Sequence, residues 1–173
     1  ILGDLISPGD VVVLVTPIDL AAPKGRLILP QVQTIRDILD NDAMAIVVKE
    51  RELKAALASL KDKPRLVVTD SQAFLKVAAD TPKDVSMTSF SILFARYKGN
   101  LKALVEGANA IKNLVPGDKV LVAEACTHHR VEDDIGTVKI PRWLNQIVGG
   151  PLDFKWASGI ELPSDLHDYK LII

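Results

Sequence analysis

Ser7-Pro8-Gly9-Asp10-Val11-Val12-Val13-Leu14-Val15-Thr16-Pro17 is the stretch whose reading decides the fold. Five β-branched or leucine side chains follow one another between a Pro-Gly-Asp turn signal and a Thr-Pro stop, so an extended strand here is apolar on both faces. Such a strand needs cover on both sides, as in a parallel sheet between two layers of helix. Downstream, Pro30 suits the first turn of a helix, and Val32, Ile35, Ile38 and Leu39 recur at helical spacing up to Asn41-Asp42. The pattern then repeats. Ala43 to Val48 is a second apolar strand, and Glu50 to Lys61 a helix with Leu53, Ala56, Leu57 and Leu60 on one face. Glu50 precedes Lys54 by four residues, the favourable order for a surface ion pair. Arg65 to Thr69 is a third strand, and Asp70 or Ser71 is placed to cap a helix carrying Phe74, Leu75, Val77 and Ala78. Val85 to Phe90 is a weaker fourth strand.

Strands alternating with helices predict right-handed crossovers and a parallel sheet covered on both faces. One connection breaks the pattern. From Thr16 to Leu29 the chain runs through Pro17, Asp19, Pro23, Lys24, Gly25 and Arg26, far more than the two to six residues usual between a strand and its helix. It reads either as a meandering crossover or as a contact surface for another subunit or domain.

Ser91 to Gly99, with Phe94, Arg96 and Tyr97, reads as the passage between two units. Leu101, Leu104, Val105, Ala108, Ile111 and Leu114 then trace one face of a helix stopped by Pro116-Gly117. Lys119 to Ala125 is a strand, and Pro141 to Val148 a short helix with Trp143, Leu144 and Ile147 as its buried stripe. Phe154 to Ser158 and Tyr169 to Ile173 are further strands. The expectation is an α/β chain of two small three-layer units, 1–91 and 92–173, each a mainly parallel sheet flanked by helices. The second unit stops at a strand without the helix that should cover it, so the expectation is also that the chain is a fragment.

Composition excludes several functions. The charge is −1 overall, and the two halves are balanced as well: residues 1–90 carry 11 basic and 12 acidic side chains, residues 91–173 carry 10 of each. There is no basic face for nucleic acid. The longest wholly apolar run, Ala43 to Val48, is six residues, far short of the ~20 of a membrane-spanning helix. A single cysteine, Cys126, cannot form an internal disulfide, which suits a reducing compartment, and the cytoplasm is the expected location.

No phosphate-binding G-x-x-x-x-G-K-S/T loop, G-x-G-x-x-G, H-E-x-x-H or C-x-x-C occurs in these residues. What stands out is Glu124-Ala125-Cys126-Thr127-His128-His129, which gathers the only cysteine and two of three histidines at the carboxyl end of a buried strand. Sites form at that edge of a parallel sheet because side chains leaving several strand ends converge there. Thiolate and imidazole are ligands for thiophilic metals, and C-x-H spacing lets both reach one ion or cluster from one loop. Three readings stay open: a small core cysteine beside a polar loop, a catalytic thiol with His128 or His129 as base, and part of a metal site whose other ligands come from elsewhere. Glu132, Asp133 and Asp134 read as a solvated charge run, Arg142 as a surface charge and Trp143 as core.

Several long words of this sequence closely resemble one family. They are Val15-Thr16-Pro17-Ile18-Asp19-Leu20-Ala21-Ala22-Pro23-Lys24-Gly25-Arg26-Leu27-Ile28-Leu29-Pro30-Gln31-Val32-Gln33, Val68-Thr69-Asp70-Ser71-Gln72-Ala73-Phe74, and Ala125-Cys126-Thr127-His128-His129 with Ile140-Pro141-Arg142-Trp143-Leu144. The family is the scaffold GTPase of iron-only (FeFe) hydrogenase maturation. The resemblance implies a dimerisation domain over 1–91 and a cluster-binding and tetramerisation domain over 92–173. The family's GTPase domain, with its GTP and Mg²⁺, is absent from these residues. The family's cluster signature is C-x-H, a long gap, then H-C-x-x-C. Cys126, Thr127 and His128 match its first part, and only 45 residues follow His128, so the chain ends about where the second part should begin. Resemblance therefore implies Cys126 as a ligand of a four-iron four-sulfur cluster, with His128 as ligand or supporting partner and His129 as a weaker candidate. It also implies a chain too short in thiolates to hold the cluster alone. The implied role is a non-enzymatic scaffold, a homodimer able to pair into a tetramer. In the intact protein it would receive a di-iron precursor from radical-SAM maturases and pass it to apo FeFe-hydrogenase. The rival is an enzyme with Cys126 as nucleophile in a strand-end crevice.

Overall fold

The computed structural model describes residues 1–18, 25–124, 134–159 and 162–173, and divides into two compact units, 1–101 and 102–173. The first holds β1 (Val11–Val15), α1 (Leu29–Asp40), β2 (Met44–Val48), α2 (Leu53–Ser59), β3 (Leu66–Thr69), α3 (Phe74–Asp80), β4 (Met87–Ser89) and α4 (Phe90–Lys98). Its strands are all parallel in the order β2-β1-β3-β4, so β1 is central. The opening run Val11 to Val15 behaves as its composition demands. Val12 and Leu14 enter one core with Ile38, Val68, Phe90 and Leu93, while Val13 and Val15 enter the opposite core with Leu53, Val67 and Val77. Helices thus cover both faces.

Local chemistry fixes several ends. Gln31 is buried; its Oε1 accepts from the Ile28 N–H (3.2 Å) and its Nε2 donates to Asp70 Oδ2 (2.8 Å), clamping the start of α1 to the end of β3. Asp70 therefore does not cap the next helix with its side chain as expected. Lys54 pairs with Asp80 (3.1 Å) instead of with Glu50, because the helix begins only at Leu53 and Glu50 lies outside its register. The fourth strand is shorter than the expected Val85 to Phe90, since Phe90 already opens α4.

Residues 91–99 are not a passage. Residues 91–98 belong to α4 and Gly99 ends it; the helix start is capped by Ser89 Oγ accepting from the Ile92 N–H, and Phe90 and Leu93 are buried in the first unit's core. The unit boundary thus falls at 101/102, after this helix, where the sequence reading placed it at 91/92.

The second unit holds α5 (Leu101–Ala110, continued by a 3₁₀ turn Ile111–Asn113), β5 (Lys119–Glu124), α6 (Ile140–Val148, preceded by a π turn Ile135–Lys139), β6 (Asp153–Ser158) and β7 (Leu171–Ile172). Its sheet is parallel, in the order β6-β5-β7. Leu114, Val120, Leu144, Leu152 and Leu171 form its core. One expectation fails here: in α6 only Leu144 of the stripe expected to be buried is inside. Of the face traced from Leu101 to Leu114, Leu104 and Val105 are half exposed, and only Leu114, with Ile111 packed beside it, reaches the core. Among the described residues no helix is long and apolar enough to cross a membrane.

Candidate metal centre

Cys126, His128 and His129 lie outside the described residues, as do Glu132 and Asp133, so the site is built from the frame around them. That frame is the carboxyl edge of the second sheet. β5 is the middle strand, and the chain leaves it at Glu124, two residues before the thiol. On one side β6 runs parallel, with Glu124 opposite Ser158 and the Gly159 N–H donating to the Glu124 carbonyl (3.0 Å). On the other side β7 is parallel too: Val120 faces Leu171, Leu121 faces Ile172, and the Ala123 N–H donates to the Ile173 carbonyl (2.7 Å). All three strands therefore end at one edge. Because β6 and β7 lie on opposite sides of β5, the chain order reverses at β5, the kind of position where parallel sheets open a crevice.

The register of β7 is held from both ends. Lys170 N–H donates to the Lys119 carbonyl (2.9 Å), and Lys119 Nζ meets Asp168 Oδ2 at 3.0 Å. The hydrogen bond and charge of Asp168 hold the Lys119 ammonium pKa above its ordinary value. Leu171 is buried against Val120 and Leu144.

The far end of the Cys126 loop is anchored as firmly. Asp134 was expected in a solvated charge run, but it is buried. Its Oδ2 accepts from the Thr137 N–H and Oγ1, both at 2.8 Å, and its carbonyl accepts from the Val138 and Lys139 N–H groups. A carboxylate at a helix start satisfies donors that the helix itself cannot, which is why the residue is drawn inward. Trp156 Nε1 donates to the Gly136 carbonyl (3.1 Å), tying this π turn to β6. The spacing Asp134-Ile135-Gly136-Thr137 carried that capping signal, and the run of three acids hid it.

Among the described residues no group of three or more His, Cys, Asp or Glu side chains could hold a metal ion.

These features define the class: a parallel α/β protein of two units, the second offering a strand-end edge framed by β5, β6 and β7. Comparison with family models defines the member. The hydrogen maturase F dimerization domain matches residues 1–99 and the hydrogen maturase F tetramerization domain matches residues 102–173. The chain belongs to the hydrogen maturase F family and is a homo-oligomerising scaffold of hydrogenase maturation. No curated protein matches it.

Proposed function

We propose that this chain is a non-enzymatic scaffold whose second unit supplies Cys126, with His128 and then His129 as further candidates, to a four-iron four-sulfur cluster used in assembling the di-iron subcluster and transferring it to apo-hydrogenase. The observation that supports this reading is the parallel pairing of β5 with β7. It brings the chain at Glu124, two residues before Cys126 in sequence, and the chain at Ile173 to the same sheet edge. A loop with one thiolate and two imidazoles offers the donors that iron–sulfur clusters take, and thiolates from the neighbouring strand end would complete the set. When bound, the cluster would supply an iron site for a precursor. The residues of this chain position it. Radical-SAM maturases and apo-hydrogenase are the partners in this reading. Nucleotide chemistry belongs to the family's GTPase domain, and the single thiol suits the cytoplasm.

Dimerisation is assigned to the first unit's open sheet edge. β2 is an edge strand with Met44 and Val47 half exposed, and an apolar edge of that kind is a template for a second copy. The long connection from Pro17 to Leu29 is the other candidate surface.

Thiol mapping tests the metal reading against the nucleophile reading. In the intact protein, Cys126 labels with a maleimide when iron-free and is protected after anaerobic loading with iron and sulfide. Equal labelling in both states contradicts the cluster reading, and fast labelling at neutral pH regardless of iron favours the nucleophile.

A further inference from the structure

The helical segment 135–148 and the strand beside it leave an apolar face open. Leu144 is buried, and Asn145 and Val148 on one flank of α6 are half-buried, so that flank is covered. The opposite flank is not: Trp143 is 48% and Ile147 65% exposed, one helical turn apart. Trp156, 46% exposed, lies on the same side of the sheet as α6, since Phe154 packs into the core there and stacks on Trp156 (6.0 Å between rings), and Trp156 also bonds the π turn that leads into α6. The segment Trp143 to Val148 carries no charge. An exposed tryptophan–isoleucine flank costs solvation in a free monomer, and tryptophan is among the residues enriched at the energetic centres of protein interfaces. The chain has only two tryptophans, and both stand half exposed in this unit.

We infer that this face, Trp143 and Ile147 of α6 with Trp156 of β6, is where a second copy of the chain docks in the four-chain assembly. The occupant follows from the family match: residues 102–173 match a tetramerization domain, so this unit must present a self-association surface, and the inference rests on that oligomeric reading. Among its described elements α5 also shows apolar side chains, but Leu104 and Val105 are aliphatic and lack an aromatic anchor.

Because both tryptophans sit in the face, intrinsic fluorescence reports on it without any substitution. Sedimentation and tryptophan emission are followed together on dilution of the full chain. The expected result is a four-chain species whose tryptophans are shielded from acrylamide, and a red shift with rising quenching as it splits. Ile147→Glu, at an exposed position, is expected to weaken the four-chain association on the order of 30-fold or more while leaving the far-ultraviolet spectrum unchanged. Leu104→Glu on α5 is expected to assemble like wild type. The inference is overturned if Ile147→Glu assembles normally, or if wild type forms four-chain species with freely quenched tryptophans, which would leave the face to another partner. A wild type that never exceeds two chains removes the tetrameric reading beneath it, and the inference with it.

Discussion

Replacing Leu171 by alanine probes the feature on which the second unit's edge depends. Strand β7 has two residues, and Leu171 is the one that enters the core, packed with Val120, Leu144 and Leu152. Alanine removes three carbon atoms at about 0.8 kcal/mol each, or about 2.4 kcal/mol, before any cavity is counted. A strand this short at the sheet margin can settle inward, so the expected loss is about 2–3 kcal/mol, in the lower half of the range for buried leucine truncations. Both tryptophans, Trp143 and Trp156, are in this unit, so fluorescence follows its unfolding alone. With a urea dependence on the order of 1 kcal/mol per molar for so small a unit, the midpoint should fall by about 2–3 M. In the iron-loaded intact protein the same change should lower cluster retention although Cys126 is untouched, because the neighbouring strand end loses its register. An unchanged fluorescence midpoint would refute the claim that Leu171 anchors β7. A lowered midpoint with full cluster retention would refute the link between β7 and the site.

Gln31→Ala removes both the Ile28 cap bond and the bond to Asp70, and should cost the first unit about 1–2 kcal/mol, read from its thermal unfolding by circular dichroism; no loss would mean the clamp is idle. Val47→Lys on the exposed side of β2 places a charge on an apolar edge and should shift the dimer toward monomer in sedimentation without lowering monomer stability, whereas an unaltered dimer would move the interface to the Pro17–Leu29 connection. The Arg96 guanidinium beside Asp4 and the Lys63 ammonium beside Asp84 hold both carboxyl groups below the ordinary 3.8. Folded values lower than unfolded ones stabilise above the unfolded value and are lost as pH falls through the folded one, so the first unit should weaken on acidification below about pH 4. Asp4→Asn with Asp84→Asn should flatten that acid limb in pH-dependent urea titrations; an identical slope would show that other carboxylates govern it.

Most of the frame was legible in the residues because the period of apolar side chains is a direct record of burial. Val11 to Val15, apolar on both faces, specified a buried parallel strand, and the alternation after it specified the layers. What failed has specific physical causes. Ser91 to Gly99 read as a passage because its visible aromatics, Phe94 and Tyr97, are not the anchors; Phe90, counted as the end of a strand, and Leu93 are. The stripe Trp143-Leu144-Ile147 predicts a buried face, and periodicity cannot distinguish a core within one chain from an interface between chains. Asp134 was hidden because a capping carboxylate and a solvated one look alike inside an acidic run. Of the site's frame, the strand that ends at Glu124 was legible; that β7 is the direct neighbour of β5 was not, since pairing order is a long-range property of the sheet.

Visible absorption of the anaerobically loaded intact protein, wild type against Cys126→Ser, measures the central claim most directly. The account predicts iron–sulfur charge-transfer bands and bound iron in wild type, both largely lost in the variant, with folding and oligomeric state retained. Bands and iron content equal to wild type in Cys126→Ser would contradict it.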